Sequence, residues 1–267
     1  MTTRRNFVKL AAATGLLGVA SPLLPLTRLN IGVGTFSYHN LSLDEMITQL
    51  NALRIREIEM SRGEFMLLSH PKAELFRGAR VKLDRAGIRC VSYYAATIKD
   101  AADIENAVRF AKLLGSTNIT GDGTESILKQ LDQRLSQEGL TFGLHNHFFP
   151  NTTFAYQSPE EVLRAISSLS KTMGATADTG QFASCGYDPV DAIHKLAPRL
   201  RMVHLKDVKA KGGDVNTLLG DGIARISAVM QELHRQNFAG LVAVEYEKEG
   251  AVDRDMAEEI AYARRLA

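Results

Sequence analysis

Six side chains stand where a metal-assisted proton transfer would need them. Glu59, His145, His147, Asp178, His204 and Glu245 each lie at the end of a short, mostly apolar run. An ionised group in that setting is costly unless it is paired or bound to a cation. Five of the six come from four successive runs, which offer imidazole, carboxylate, imidazole and carboxylate to one volume if the runs are neighbouring strands. Nitrogen with hard oxygen suits Mn²⁺, Zn²⁺, Co²⁺ or Fe²⁺, and Mg²⁺ less well. One histidine at a strand end is more often a hydrogen-bonded rim residue; the succession outweighs that reading. A cation holding a carbonyl and a neighbouring hydroxyl acidifies the C–H between them, and a carboxylate beside it can move the proton. Glu245, His147 and Glu59 are the candidate catalytic groups. His145 and His147, two residues apart, share a face of an extended strand, so one can bind metal and the other substrate. Lys206 follows His204 by two and should share its inward face, to contact substrate oxygens or to pair with Asp207. Gly220-Asp221-Gly222 either aims backbone amides at a substrate or is an ordinary turn.

What must position these groups is a repeated βα unit. From Leu29 onward, short β-rich runs alternate with segments of helical periodicity. The runs that read as strands are Leu29 to Phe36, Ile55 to Met60, Ile88 to Ala95, Thr117 to Thr120, Leu140 to Asn146, Ala175 to Asp178, Leu200 to Leu205 and Leu241 to Tyr246. Helices are predicted over Leu43 to Leu53, Pro71 to Ala86, Ala101 to Leu114, Glu125 to Gln137, Pro159 to Leu169, Pro189 to Leu196, Ile223 to Arg235 and Asp253 to Leu266. Ser42 with Glu45 reads as a capping box, the prolines fit first helical turns, and Gly87, Gly115 and Gly139 read as helix stops. Gly32-Val33-Gly34 lies inside a strand and is a poor dinucleotide fingerprint. Eight units without a dividing linker predict one (β/α)8 TIM barrel over residues 29–267, with the polar strand ends gathered at its C-terminal mouth.

The chain has 267 residues, 45% of them hydrophobic, and a net charge of +2. Arg4, Arg5 and Lys9 supply three of its positive charges, so the body is close to neutral and carries no basic field for nucleic acid. Two cysteines, Cys90 and Cys185, make neither a disulfide framework nor a zinc motif. Residues 1–28 read as a twin-arginine signal peptide and linker: Arg4-Arg5-Asn6-Phe7-Val8-Lys9 precedes an uncharged run that Pro22 and Pro25 interrupt. The expected partner is the twin-arginine translocase and the expected location the periplasm. A homo-oligomer is compatible with the sequence.

The runs Gly143-Leu144-His145-Asn146-His147, Asp178-Thr179-Gly180-Gln181, Val203-His204-Leu205-Lys206-Asp207 and Val244-Glu245-Tyr246 resemble the xylose isomerase-like barrels known as sugar phosphate isomerases/epimerases. The resemblance covers nearly the whole body. It implies a metal set of Glu, Asp, His and Glu on strands five to eight, onto which Asp178, His204 and Glu245 map directly. His145 takes the place of the first glutamate, with His147 close behind, and Gln181 stands where relatives often have His. The implied function is a divalent-metal-dependent isomerase or epimerase acting on a sugar or keto-sugar through an enediolate, with Lys206, Gln181 and His147 on the substrate. Replacing one of two glutamates by histidine puts two-carboxylate epimerisation in doubt. A lyase or dehydratase acting on a 3-keto-glycoside or inosose-like substrate is the alternative. A sugar-binding barrel without turnover is the remaining reading, against which the retained Asp178, His204 and Glu245 argue.

Overall fold

Local hydrogen bonds divide the chain where its periodicity does. Ser42 and Ser158 each form a reciprocal capping box with the glutamate three residues on, while Asp100, Thr124 and Asp188 cap further helices through their side chains. Pro159 and Pro189 open their helices. Gly87, Gly115 and Gly139 all adopt left-handed φ, between 67° and 71°, as helix stops require.

The computed structural model describes residues 28–66, 68, 72–148, 156–213, 215–247 and 252–267. The twin-arginine segment, Pro71 and His70 lie outside them. In chain order the elements are β1 (Asn30–Gly34), α1 (Leu43–Ala52), β2 (Glu57–Met60), α2 (Gly63–Met66), α3 (Ala73–Arg85), β3 (Arg89–Thr97), α4 (Ala101–Leu114), β4 (Asn118–Asp122), α5 (Glu125–Ser136), β5 (Thr141–His145), α6 (Pro159–Ile166), β6 (Met173–Asp178), α7 (Thr179–Cys185), α8 (Pro189–Leu196), β7 (Leu200–Leu205), β8 (Asp207–Val208), β9 (Asn216–Thr217), α9 (Ile226–Arg235), β10 (Leu241–Val244) and α10 (Val252–Leu266). Among the described residues, eight strands close a parallel barrel in the order β1-β10-β7-β6-β5-β4-β3-β2, and β8 and β9 form a small antiparallel hairpin above it. The chain is thus the expected (β/α)8 TIM barrel.

The strand residues divide cleanly between two sides. Val33, Ile58, Tyr93, Ile119, Phe142, Leu144, Val203 and Val242 belong to the large apolar core that also holds the helices' inner faces. Met202, Leu241 and Ala243 form a second, small apolar cluster. TIM interiors are usually packed with branched apolar residues. Here much of the interior is polar, since Glu59 of β2 reaches His204 of β7 and Thr120 of β4 reaches Thr176 of β6, pairs of strands that are not neighbours.

Several boundaries differ from expectation for identifiable reasons. The first strand ends at Gly34 and turns into a 3₁₀ segment, Thr35–Tyr38. β3 and β4 run two residues further than predicted, to Thr97 and Asp122, past a register shift where Ala96 sits at φ 52°. α7, which the sequence did not announce, is a short helix that Asp178 itself caps.

Candidate active site at the C-terminal mouth

β5, β6, β7 and β10 end at one level, so His145, Asp178, His204 and Glu245 converge where the strands stop. Ligand atoms of His145, Asp178 and His204 lie within 4.8 Å of one another, and all three residues are buried. His145 Nε2 is 2.9 Å from His204 Nδ1 and 3.8 Å from Asp178 Oδ2. His204 Nδ1 is 3.9 Å from Asp178 Oδ2 and 2.9 Å from Glu245 Oε2. Tetrahedral coordination at metal–ligand distances of about 2.0 to 2.2 Å implies ligand-to-ligand edges of about 3.3 to 3.6 Å, which these separations bracket. Glu245 Oε2 is buried and, despite its closeness to His204, accepts no hydrogen bond of acceptable angle. A buried carboxylate oxygen left in that state is what a cation would satisfy. The donor set therefore fits a divalent metal.

The remaining atoms of the ligands are held from behind. His204 Nε2 donates to Glu59 Oε2 at 2.6 Å, which turns Nδ1 toward Asp178 and Glu245. His145 Nδ1 lies 2.9 Å from His147 Nε2, which leaves Nε2 facing the other ligands. Asp178 Oδ1 accepts the Gln181 amide at 2.9 Å as the cap of α7, so its two oxygens serve separate purposes. Asn146 bridges the backbone of Asp178, accepting from its N–H and donating to its carbonyl.

Charge is arranged around one buried cation, Lys206, which is 1% exposed. Its ammonium lies 2.6 Å from Glu247 Oε1 and is not among the groups lining the cavity, so the lysine expected on the substrate instead supports Glu247. Gly180 makes room for its stem: a Cβ there would come within 2.7 Å of Lys206 Cγ. Burial opposes charge on Lys206, but Asp178, Glu247 and Glu245 outweigh it and hold its pKa above the ordinary value. Burial likewise opposes the Glu245 carboxylate, and His204 and Lys206 overcome that to hold its pKa well below the ordinary value. Burial pushes Glu247 up to about 7 against the pull of Lys206. Burial also drives His145 far down and His147 to about 4, so both rings are neutral and keep a lone pair.

The cavity over these groups has a volume of about 250 Å³, enough for a single sugar ring. His145, His147, Asp178, Gln181, His204, Glu245 and Glu247 form its polar side, while Phe36, Met66, Tyr94 and Phe148 form an apolar and aromatic wall. Tyr94 Oη is 2.9 Å from His147 Nε2, and Asp122 Oδ2 stands 3.8 Å behind it. Gln181 accepts the Phe148 amide at 2.7 Å.

Of the expected site residues, Glu59 is fully buried beneath His204 and does not line the cavity. The Gly220 and Gly222 amides do not face the cavity either. With the amides of Val208 and Ala224 they converge on the buried Asp207 carboxylate at 2.9 to 3.0 Å, so the turn reading of that segment is correct and Asp207 does not pair with Lys206. Tyr94, Asp122 and Glu247 are the additions. Glu247 lies two residues beyond Glu245, which the sequence already places inside the barrel, and the same parity argument would have found it.

Known proteins agree with this geometry at the level of fold and family. The rhizopine catabolism protein of Rhizobium meliloti is 28% identical over 153 residues, 51% of this chain and 45% of that protein. An inosose dehydratase of Geobacillus thermodenitrificans is 26% identical over 142 residues, 47% of this chain and 46% of the enzyme. The chain thus spans about half the length of the curated relatives it matches. Among solved structures, that of the IOLI protein with a binding zinc atom superposes with a TM-score of 0.70 at 13% identity, covering 89% of this chain and 96% of the other. The family model for xylose isomerase-like TIM barrels matches residues 99–266, which contain all four metal-ligand candidates, and the chain belongs to that family.

Proposed function

We propose that this protein is a divalent-metal-dependent enzyme that abstracts a proton next to the carbonyl of a keto-sugar or keto-cyclitol, as an isomerase or epimerase. The observation that carries this reading is the buried set of His145, Asp178, His204 and Glu245 opening into a cavity the size of one ring. When bound there, Mn²⁺, Zn²⁺, Co²⁺ or Fe²⁺ supplies Lewis-acid polarisation of the carbonyl and offsets the charge of an enediolate. His145, with its lone pair turned to Asp178, and His204, with its Nδ1 turned the same way, would hold the cation together with Asp178. Glu245 stands at the boundary between ligand and substrate and takes the proton, and Glu247 beside it, steadied by Lys206, receives or returns it. Phe36, Met66 and Phe148 exclude water from that exchange. Supporting this reading are the family membership and, for the metal, the zinc named for a protein of similar fold.

A second reading, elimination, rests on Tyr94 and His147. Burial holds the Tyr94 hydroxyl protonated, and it lines the cavity 2.9 Å from His147, where it can donate to a departing hydroxyl. The likeness to an inosose dehydratase favours the same outcome. Incubation with keto-sugars and inososes in D₂O separates the two. Recovery of a ketose isomer or epimer with deuterium at the carbon beside the carbonyl supports the first reading, and an unsaturated product, which has lost the hydrogen from that carbon, the second. Absence of both deuterium and product across metals and substrates would refute the proposal. Export through a twin-arginine route, which we also propose from the sequence, would bring the enzyme to unphosphorylated substrates.

A further inference from the structure

The polar interior of the barrel has a direction. A carboxylate accepts hydrogen bonds and donates none, so both neighbours of Glu59 must donate to it. His204 Nε2 does so at Oε2, 2.6 Å away, and Ser92 Oγ at Oε1, 2.9 Å away. With its only proton committed, Ser92 can accept but not donate elsewhere. It accepts from Asn118 Nδ2 at 3.0 Å and from Thr120 Oγ1 at 3.1 Å. Thr120 in turn accepts from Asn118 Nδ2 at 3.3 Å and from Thr176 Oγ1 at 3.3 Å. Asn118 Oδ1 accepts from Thr141 Oγ1 at 2.8 Å, which fixes the orientation of the amide. Every donor in the chain therefore leads to the Glu59 carboxylate, on which His204 converges from the other side. The chain begins at the opposite mouth, where Ser92, Asn118 and Thr141 line a separate cavity of about 250 Å³. Glu59, Ser92 and Thr120 do not line the substrate cavity. A column of hydroxyls and one carboxylate in the interior would be costly without a purpose, since apolar packing is the usual filling there.

We propose that Glu59, Ser92 and Thr120 are positioning residues that fix which nitrogen of His204 faces the cation, so that the metal site at the C-terminal mouth is oriented from the N-terminal mouth. This rests on the metal site of the preceding section. Because the column accepts the Nε2 proton and supplies none in return, Nδ1 alone is left for the cation. Partners of this kind commonly set metal affinity within about 10- to 100-fold.

The test is cobalt binding to the full-length protein and its variants after chelation, read as a dissociation constant by chelator competition and as the visible ligand-field band of Co²⁺. E59Q is expected to bind about 10- to 100-fold more weakly with a shifted band. S92A, which leaves Glu59 in place and removes only its lower partner, should bind about 3- to 10-fold more weakly with a smaller shift, and T120V should fall between S92A and wild type. The variants must keep the wild-type circular dichroism spectrum; should E59Q fail to fold, S92A and T120V carry the reading alone. Folded variants with wild-type affinity and band position would overturn the column and leave the metal site standing. Wild-type protein that takes up no cobalt would overturn both.

Discussion

His145 and His147 differ in what their nitrogens face. His145 turns Nε2 to Asp178 and His204, whereas His147 Nε2 is turned to Tyr94 and His145. The first arrangement is that of a metal ligand and the second that of a group on the substrate side. His145→Ala is therefore expected to lower bound metal, measured by elemental analysis, and to remove activity with it. His147→Ala, which removes only a partner of His145 Nδ1, should still bind metal, though more weakly than wild type, and at saturating metal should lose about 10²- to 10⁴-fold in kcat, the range for a group that assists proton transfer. Full metal and full activity in both variants would make the two rings packing residues. The types and spacing of these histidines were legible in the sequence because alternation along a strand has a fixed period. The hydrogen-bond partners were not, because Tyr94 lies within a predicted strand as one aromatic residue among several, and Asp122 lies beyond the predicted end of its strand.

At the scale of elements, the loop between β9 and α9 is built on one side chain. Asp207 accepts four backbone N–H groups, from Val208, Gly220, Gly222 and Ala224, and is buried. Asp207→Ala would strand four donors, each costing about 1 kcal/mol or more where water cannot reach. A loss of about 3 to 5 kcal/mol is expected in urea unfolding, with Asp207→Asn intermediate. A loss below about 1 kcal/mol would mean that water replaces the carboxylate. The long α4 was readable to the residue because cap, period and stop agree there. α7 was hidden because a seven-residue helix barely completes a period and opens with Thr179-Gly180, whose small residues serve the close approach of Lys206 rather than helix propensity.

For the molecule as a whole, stability should carry a pH signature from a group far from the site. Glu259 of α10 is buried, accepts the Leu219 amide, and is pushed up to about 8 by burial, with Asp207, Asp255 and Asp221 adding to the effect. Its folded pKa lies above its unfolded value, so the folded protein keeps a proton that the unfolded chain releases. Stability from this group is full below about pH 4.5, falls between about 4.5 and 8, and is flat above. Glu259→Gln removes that loss, and the variant should gain on wild type by a few kcal/mol, to order of magnitude, between pH 5 and pH 9 in paired urea titrations. An unchanged gap across that range would show that Glu259 ionises freely. The division of the barrel into an apolar outside and a polar inside was only half visible in the sequence. Ser92, Asn118, Thr120 and Thr176 are common residues with no spacing of their own, and only closure of the sheet makes them neighbours.

One consequence of the shared carboxylate of Asp178 extends to the rim of the mouth. Its Oδ2 faces the cation position while its Oδ1 starts α7, and Gln181 on the first turn of that helix holds the Phe148 amide. Occupancy at the centre is thereby tied to backbone order at the entrance, through two hydrogen bonds in series. Amide hydrogen exchange at Gln181 and Phe148 should quicken by about tenfold or more when the metal is stripped, while amides in α4 keep their rates. The entrance would then act as a gauge of loading: protein without its ion would present a looser doorway to substrate before any chemistry is attempted.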